Sequence, residues 1–184
     1  MASGTETVIF PVKDLENAKK DETHERNYRR PSRLRVQFFD PLARFMILRG
    51  LAPGDGRQDG GGMRVLEVRG RKTGHWHQHP VVVAAVDGKC YVVSLWGESQ
   101  WARNLRATPA AKLRFGNRIE PIEGHEVQNE GQTAGILLAI CRKYPSIFQR
   151  YFKVDPKQVT LEQARKLATR YPVFRIEFAA ADAG

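Results

Sequence analysis

The sequence predicts a mainly β, antiparallel fold: a small β-barrel with attached helices. Three observations predict it. Hydrophobic periodicity changes from helical to alternating after a glycine-rich stretch at 53–62, PGDGRQDGGG. Turn pairs, Asp87-Gly88 and Gly116-Asn117, then punctuate β-rich runs at hairpin spacing. No regular strand–helix–strand alternation follows, which argues against a parallel doubly wound sheet.

Taken in order, residues 1–30 are polar and of mixed charge, and are expected to form a loosely held arm. The main domain is expected over 31–178, with a small-residue tail at 179–184. In DPLARFMILRG, Asp40 is a candidate N-cap, Pro41 suits the first helical position and Gly50 suits the stop. Leu42, Phe45, Met46 and Leu48 are expected to face a core from that helix. Strands are expected at 63–69, 75–86 and 89–96, with a turn at GRKTG between the first two. A short helix is expected at 97–109, ended by Pro109, and a hairpin around Gly116-Asn117 follows. GQTAGILLAICRKY (131–144) is amphipathic helix, which SIFQRYF extends or follows as a short one. Thr160-Leu-Glu-Gln163 is a capping box opening a helix to Tyr171, and PVFRIEF (172–178) closes the fold as a strand.

At 184 residues the chain suits one domain with its own core. Two cysteines, Cys90 and Cys141, each inside an apolar run, make no disulfide framework and suit a reducing cytoplasm. The N-terminus lacks the pattern of a secretory signal, and no apolar run approaches the length of a membrane span. The formal net charge of +10 asks for an anionic partner, although a scattered excess is often only a solvated surface.

The stretch GRKTGHWHQHP (70–80) holds the chemistry. His75, His77 and His79 share one face of a strand, which suggests a metal. Same-face neighbours on a strand lie about 7 Å apart, however, so three in a row cannot all reach one ion about 2 Å from each nitrogen. No metal is therefore expected. Arg71, Lys72, Trp76, Trp96, Trp101, Arg103 and Arg106 interleave aromatics with cations, as in nucleic-acid binders; no nucleic-acid-binding motif accompanies them, so a basic nucleic-acid-binding domain stands as the alternative of another class. The remaining reading is an anion cradle. Two cations, a hydroxyl and main-chain N–H groups in one tight turn suit phosphate or carboxylate oxygens, and His77 adds a further donor.

The order of motifs sharpens this. GRKTG is followed by Pro80 with an apolar strand, then Asp87-Gly88 and a Tyr-Val-Val strand. Ser94-Leu95-Trp96-Gly97 comes next, then Trp101-x-x-Asn104-Leu105-Arg106-Ala107 and a Phe-Gly turn. Over roughly residues 40–127, with the closing YPVFRI, this resembles the deazaflavin-dependent nitroreductase family of split β-barrel flavin and deazaflavin oxidoreductases. The resemblance implies an antiparallel split barrel and an F420-dependent oxidoreductase. It implies that Arg71, Lys72, Thr73 and Gly74 hold the phosphate and acidic tail of coenzyme F420, a deazaflavin carrying a phospholactyl-glutamate chain. His77 stands where many relatives have arginine, and Pro80 begins the strand beside the cofactor. Ser94, Leu95, Trp96 and Gly97 match the loop along the ring; Trp101, Asn104 and Leu105 match the helix that walls it. FMN is the alternative cofactor, and a non-redox cofactor-bound enzyme of the same fold is the alternative activity. The implied reaction is hydride transfer to an electron-poor small molecule such as an activated C=C, a quinone or a nitro compound. No catalytic side chain is identified; Tyr28, Tyr144 and Tyr151 are candidates for acceptor contacts. A homodimer is expected by analogy.

Overall fold

The computed structural model describes residues 40–51, 61–152, 154–155 and 157–179. The expected arm at 1–30, most of the 53–62 loop and the tail beyond Ala179 lie outside them. The elements are α1 (Asp40–Leu48), β1 (Gly62–Arg69), β2 (Trp76–Val86), β3 (Lys89–Val93) and α2 (Gln100–Ala107). Then follow β4 (Ala110–Phe115), β5 (Arg118–Glu126), α3 (Glu130–Lys143), α4 (Pro145–Phe152), α5 (Leu161–Ala168) and β6 (Val173–Phe178).

The strands close into an antiparallel barrel in the order β1-β2-β3-β6-β5-β4, the split β-barrel that the sequence predicts. Local chemistry sets the register. Asp87 and Gly88 both adopt positive φ (49° and 71°), as a tight primed hairpin turn requires. That turn pairs Val86 with Lys89 and Val83 with Val92. Gly116, at φ +55°, turns β4 into β5.

Alternation divides the core in two. Leu66, Val68, Val81, Val83, Ala85, Val92, Leu113, Ile122, Phe174 and Ile176 fill the barrel interior, where Trp101, Ala102 and Leu105 of α2 join them. The outer face of Ala84, Tyr91 and Val173 is covered by α3 and α5 through Ala134, Leu137, Ile140, Cys141, Ala164 and Ala168. The spacing of those α3 residues is one helical stripe. Each covering helix is capped as its sequence requires: the Asn129 side chain accepts the Gln132 N–H at 2.9 Å. Thr160 and Gln163 form the reciprocal capping box, at 3.2 and 3.1 Å.

Several expectations are corrected. On α1, Leu42, Phe45 and Met46 are exposed, and Ile47 is the fully buried residue, seated on Val65 with Leu48, Met63 and Phe115 around it. Apolar residues run almost all round this helix, so hydropathy left its phase undetermined; the Arg49 guanidinium, 5.1 Å from the Phe45 ring, partly shields that side. The strand expected to reach residue 96 ends at Val93, because Gly97 N–H donates to Ser94 O at 3.0 Å and folds 94–97 into a turn. The next helix begins at Gln100, not 97, since Ser99 is its N-cap. The helix expected to reach Tyr171 ends at Ala168, and SIFQRYF belongs to a separate helix opened by Pro145.

Candidate functional site

The turn between β1 and β2 is closed by its own main chain. Gly70 N–H donates to His75 O at 2.8 Å and Gly74 N–H donates to Gly70 O at 2.7 Å. Gly74 sits at φ +70°, a conformation that costs glycine nothing. Arg71, Lys72 and Thr73 are thereby held out at the tip, all exposed. A Cβ added to Gly70 would lie 2.7 Å from Thr73 Oγ1 and 2.8 Å from His77 Nε2. A hydroxyl and an imidazole thus converge over bare main chain, forming a small polar cradle that any other residue at 70 would fill. The Thr73 hydroxyl also accepts the His75 N–H at 3.4 Å.

The helix α2 braces this turn. Asn104, buried on this helix, accepts the Arg71 main-chain N–H at 3.3 Å and the Arg71 Nη1 at 2.9 Å through one oxygen. Gln100, one helical turn earlier, accepts from the same Nη1 at 3.1 Å. The arginine is therefore partly consumed as a strut. Lys72 beside it has no hydrogen bond or ion pair among the described residues, so its ammonium is available to a ligand.

The same helix is tied at its N-terminus to the 94–97 loop. The fully buried Ser94 donates its hydroxyl proton to Gly97 O at 2.6 Å. Ser99 then donates to Ser94 Oγ at 2.7 Å while accepting the Ala102 N–H at 3.4 Å. Gly97 adopts φ +74°, a conformation that disfavours any side chain. Leu95 and Trp96 are half-buried, and Trp96 meets Tyr151 edge-on at 5.7 Å.

Of the expected site residues, Arg71, Lys72, Thr73, Gly74, His77 and Asn104 come together at the turn. Ser94 and Gly97 shape the loop at the other end of α2. Trp101 and Leu105 point into the barrel: Trp101 packs on Phe174 at 5.6 Å, and Leu105 lies against Gly124. Pro80 pairs with Val65 within the sheet. Tyr144 accepts the Ala85 N–H at 3.3 Å, which commits its hydroxyl to β2. Tyr28 lies outside the described residues.

Electrostatics separate the histidines. Burial, reinforced by the proximity of His77 and of the Arg44 guanidinium, lowers His79 from 6.5 to about 4, so it is neutral at pH 7. His75 and His77 are exposed. Among the described residues no group of three or more His, Cys, Asp or Glu is arranged to hold a metal. Arg106 binds Glu98 at 2.7 Å and Glu126 at 2.5 Å, and these bonds raise its pKa further.

Sequence reasoning missed Gly70, Ser99 and Gln100. The signals were present: Ser99 precedes an amphipathic run as an N-cap should, and Gln100 stands four residues before Asn104, hence on its face of the helix. A shallow groove of about 400 Å³ between Lys89 and Phe178 lies on β3 and β6, away from this chemistry.

The residues present fit a phosphorylated, acidic-tailed cofactor: a free lysine, a convergent hydroxyl–imidazole pair and a rigid braced turn. Comparison with protein families matches residues 49–162, well over half of the chain, to the F420H(2)-dependent quinone reductase model. No curated protein matches. Among solved structures the chain is similar to a conserved hypothetical protein of Mycobacterium tuberculosis, 16% identical, with TM-score 0.45 over 65% of this chain and 74% of that one. It is also similar to an F420-H2 dependent reductase, 20% identical, with TM-score 0.42 over 62% of this chain and 93% of that one. A third, described as a domain-swapped dimer, is 18% identical, with TM-score 0.44 over 74% of this chain and 95% of that one. Likenesses this distant decide nothing about function; the family match does.

Proposed function

The chain belongs to the F420H(2)-dependent quinone reductase family, and from that premise we propose which residues hold the cofactor and what the site reduces. It is an F420-dependent oxidoreductase. Lys72 and the convergent Thr73 and His77 take the phosphate and proximal tail, with Arg71 and Gly74 fixing the turn that presents them. Ser94, Leu95, Trp96 and Gly97 border the ring, and Pro80 flanks it. Asn104 positions Arg71, while Trp101 and Leu105 keep α2 seated on the barrel.

When bound, the reduced deazaflavin supplies a hydride. The chain's task is to fix that cofactor and keep water from the ring. The acceptor is an electron-poor small molecule; a quinone is the first to test, ahead of an activated C=C or a nitro compound. No side chain is assigned as proton donor.

One observation carries this reading: Lys72, without a hydrogen bond or ion pair among the described residues, stands at the tip of a turn pinned by Asn104. Titration with oxidised F420, followed by tryptophan quenching at Trp96 and Trp101, tests it. Saturable binding that weakens about tenfold or more in Lys72→Ala supports the assignment, since a charged hydrogen bond contributes about 1.5–3 kcal/mol. Equal affinity in both proteins removes Lys72 from the site. Stopped-flow oxidation of reduced F420 by a soluble quinone then tests the acceptor.

A homodimer belongs to the same reading, supported by the exposed Leu42, Phe45, Met46 and Leu51 around α1; sedimentation velocity tests it. Cys90 and Cys141 are buried and not joined in a disulfide, which supports a reducing, cytoplasmic setting. Among the described residues no helix is long and apolar enough to cross a membrane.

A further inference from the structure

The helix α2 has only eight residues, about two turns, yet it is bonded both to the 94–97 loop and to the anion turn. At its N-terminus the Ser99 hydroxyl makes two bonds. It accepts the Ala102 N–H at 3.4 Å as the helix N-cap, and it donates to Ser94 Oγ at 2.7 Å. Ser94 in turn donates to Gly97 O at 2.6 Å, and the Ser99 main-chain N–H donates to that same carbonyl at 2.7 Å. Both serines are buried, Ser94 completely. The chain of protons runs from Ser99 through Ser94 and stops on a carbonyl, which accepts a hydrogen bond and has no proton to hand on. The pair is a lock on the loop, not a proton wire.

The same short helix grips the turn. Gln100, the residue after the cap, accepts from Arg71 Nη1, and Asn104 accepts from both the main chain and the guanidinium of Arg71. A helix this short has little stability of its own, so its first turn depends on the cap and on packing. Packing holds the buried face, Trp101, Ala102 and Leu105, whereas Gln100 is exposed. Glu98 adds outer ties through Arg106 at 2.7 Å and Arg103 at 3.6 Å. Both arginines face water, where ion pairs hold little. The cap is therefore the stronger hold on the first turn. Unwinding that turn releases Gln100 and leaves about one turn to carry Asn104.

We propose that Ser99 is a positioning residue for both halves of the cofactor site. Its hydroxyl fixes the 94–97 loop through Ser94, and by capping α2 it fixes Gln100, Asn104 and so Arg71. What the two halves bind rests on the reading of the loop as the ring border and of the turn as the phosphate end. The mechanical link rests on the hydrogen bonds alone. A cofactor whose ring and phosphate are covalently joined gains from subsites held at a fixed spacing, because less must be ordered when it binds. Loss of the Ser99 hydroxyl loosens both halves; loss of Ser94 loosens the loop alone, and loss of Gln100 the turn alone.

Hydrogen exchange on the ligand-free protein tests the link without any cofactor. The reporters are the Gly97 amide, bonded to Ser94 O, and the Arg71 amide, bonded to Asn104. In Ser99→Ala both should exchange about tenfold faster, as the loss of one cap and one hydroxyl bond allows. Ser94→Ala should speed Gly97 alone, and Gln100→Ala Arg71 alone. Ser99→Thr keeps a hydroxyl that caps and donates, and should restore both. Thermal melts establish that each variant is folded. The wild type supplies a measurement that needs no variant: in rising urea below the unfolding transition the two amides should converge on one opening event. Separate opening events, or an Arg71 amide unmoved in folded Ser99→Ala, would overturn the link. Titration with oxidised F420 then reads the function. Ser99→Ala should weaken binding about tenfold, Ser99→Thr should restore it, and at saturation the visible band of the ring should shift less in Ser94→Ala than in the wild type. If F420 binds and responds to Lys72→Ala yet ignores Ser99→Ala, the site stands and only the role of Ser99 falls. If the wild type does not bind F420, the reading of the site falls and the positioning role with it.

Discussion

Asn104 accepts two hydrogen bonds from Arg71, one from its main chain and one from its guanidinium, through a single buried oxygen. The contact joins α2 to the anion turn, beside a Lys72 that has no hydrogen bond or ion pair among the described residues. Removing it with Asn104→Ala should let the turn relax while the barrel stays folded. Affinity for F420 is expected to fall about tenfold, in line with one lost charged hydrogen bond. Amide exchange at 70–74 should speed up. Unchanged affinity and exchange would mean that the turn is held by its own main-chain bonds alone.

What the sequence disclosed was local. The hairpin at Asp87-Gly88 and the capping box at Thr160 and Gln163 are each decided by neighbours within a few residues. The same holds for the anion turn, where GRKTG names its own donors. What stayed hidden was tertiary. The phase of α1 depends on Ile47 meeting Val65, residues on either side of the glycine-rich stretch. That Arg71 is partly consumed by Gln100 and Asn104 depends on α2 landing beside the turn.

Gly124 and Leu105 offer a test of how α2 is seated. A Cβ on Gly124 would stand 2.7 Å from Leu105 Cδ2 and 3.0 Å from Cγ. Gly124→Ala is expected to cost about 1–3 kcal/mol through overpacking, and Leu105→Ala about 2–5 kcal/mol through the cavity it leaves. In the double variant the new methyl partly fills that cavity, so the loss should fall short of the sum by about 1 kcal/mol or more. Urea denaturation of the four proteins measures this. Strict additivity would show that the two sites do not press on each other.

Cys141 is fully buried, and burial pushes its thiol up to about 12. The thiolate is the reactive form, so native protein at pH 8 should not react with Ellman's reagent at this position. Cys90 is buried too. Both thiols should titrate in denaturant and neither on the native timescale. A thiol that reacts quickly in the native state would reveal local opening of the α3 face or of β3.

His79 sets part of the acid stability. Folded, it stays neutral down to about pH 4, because burial and the nearby charges of His77 and Arg44 oppose its protonation; its ordinary value is 6.5. Between those pH values the unfolded chain therefore holds the extra proton. Its contribution is fully present above that window and is lost as pH falls through it, by about 3 kcal/mol at most. Denaturant midpoints measured from pH 7 to pH 4 should fall accordingly. In His79→Gln, which cannot take up that proton, the slope should flatten, and added salt should flatten the wild-type curve in part by screening His77 and Arg44. An acid slope unchanged by the substitution would assign it to other groups and remove His79 from the account.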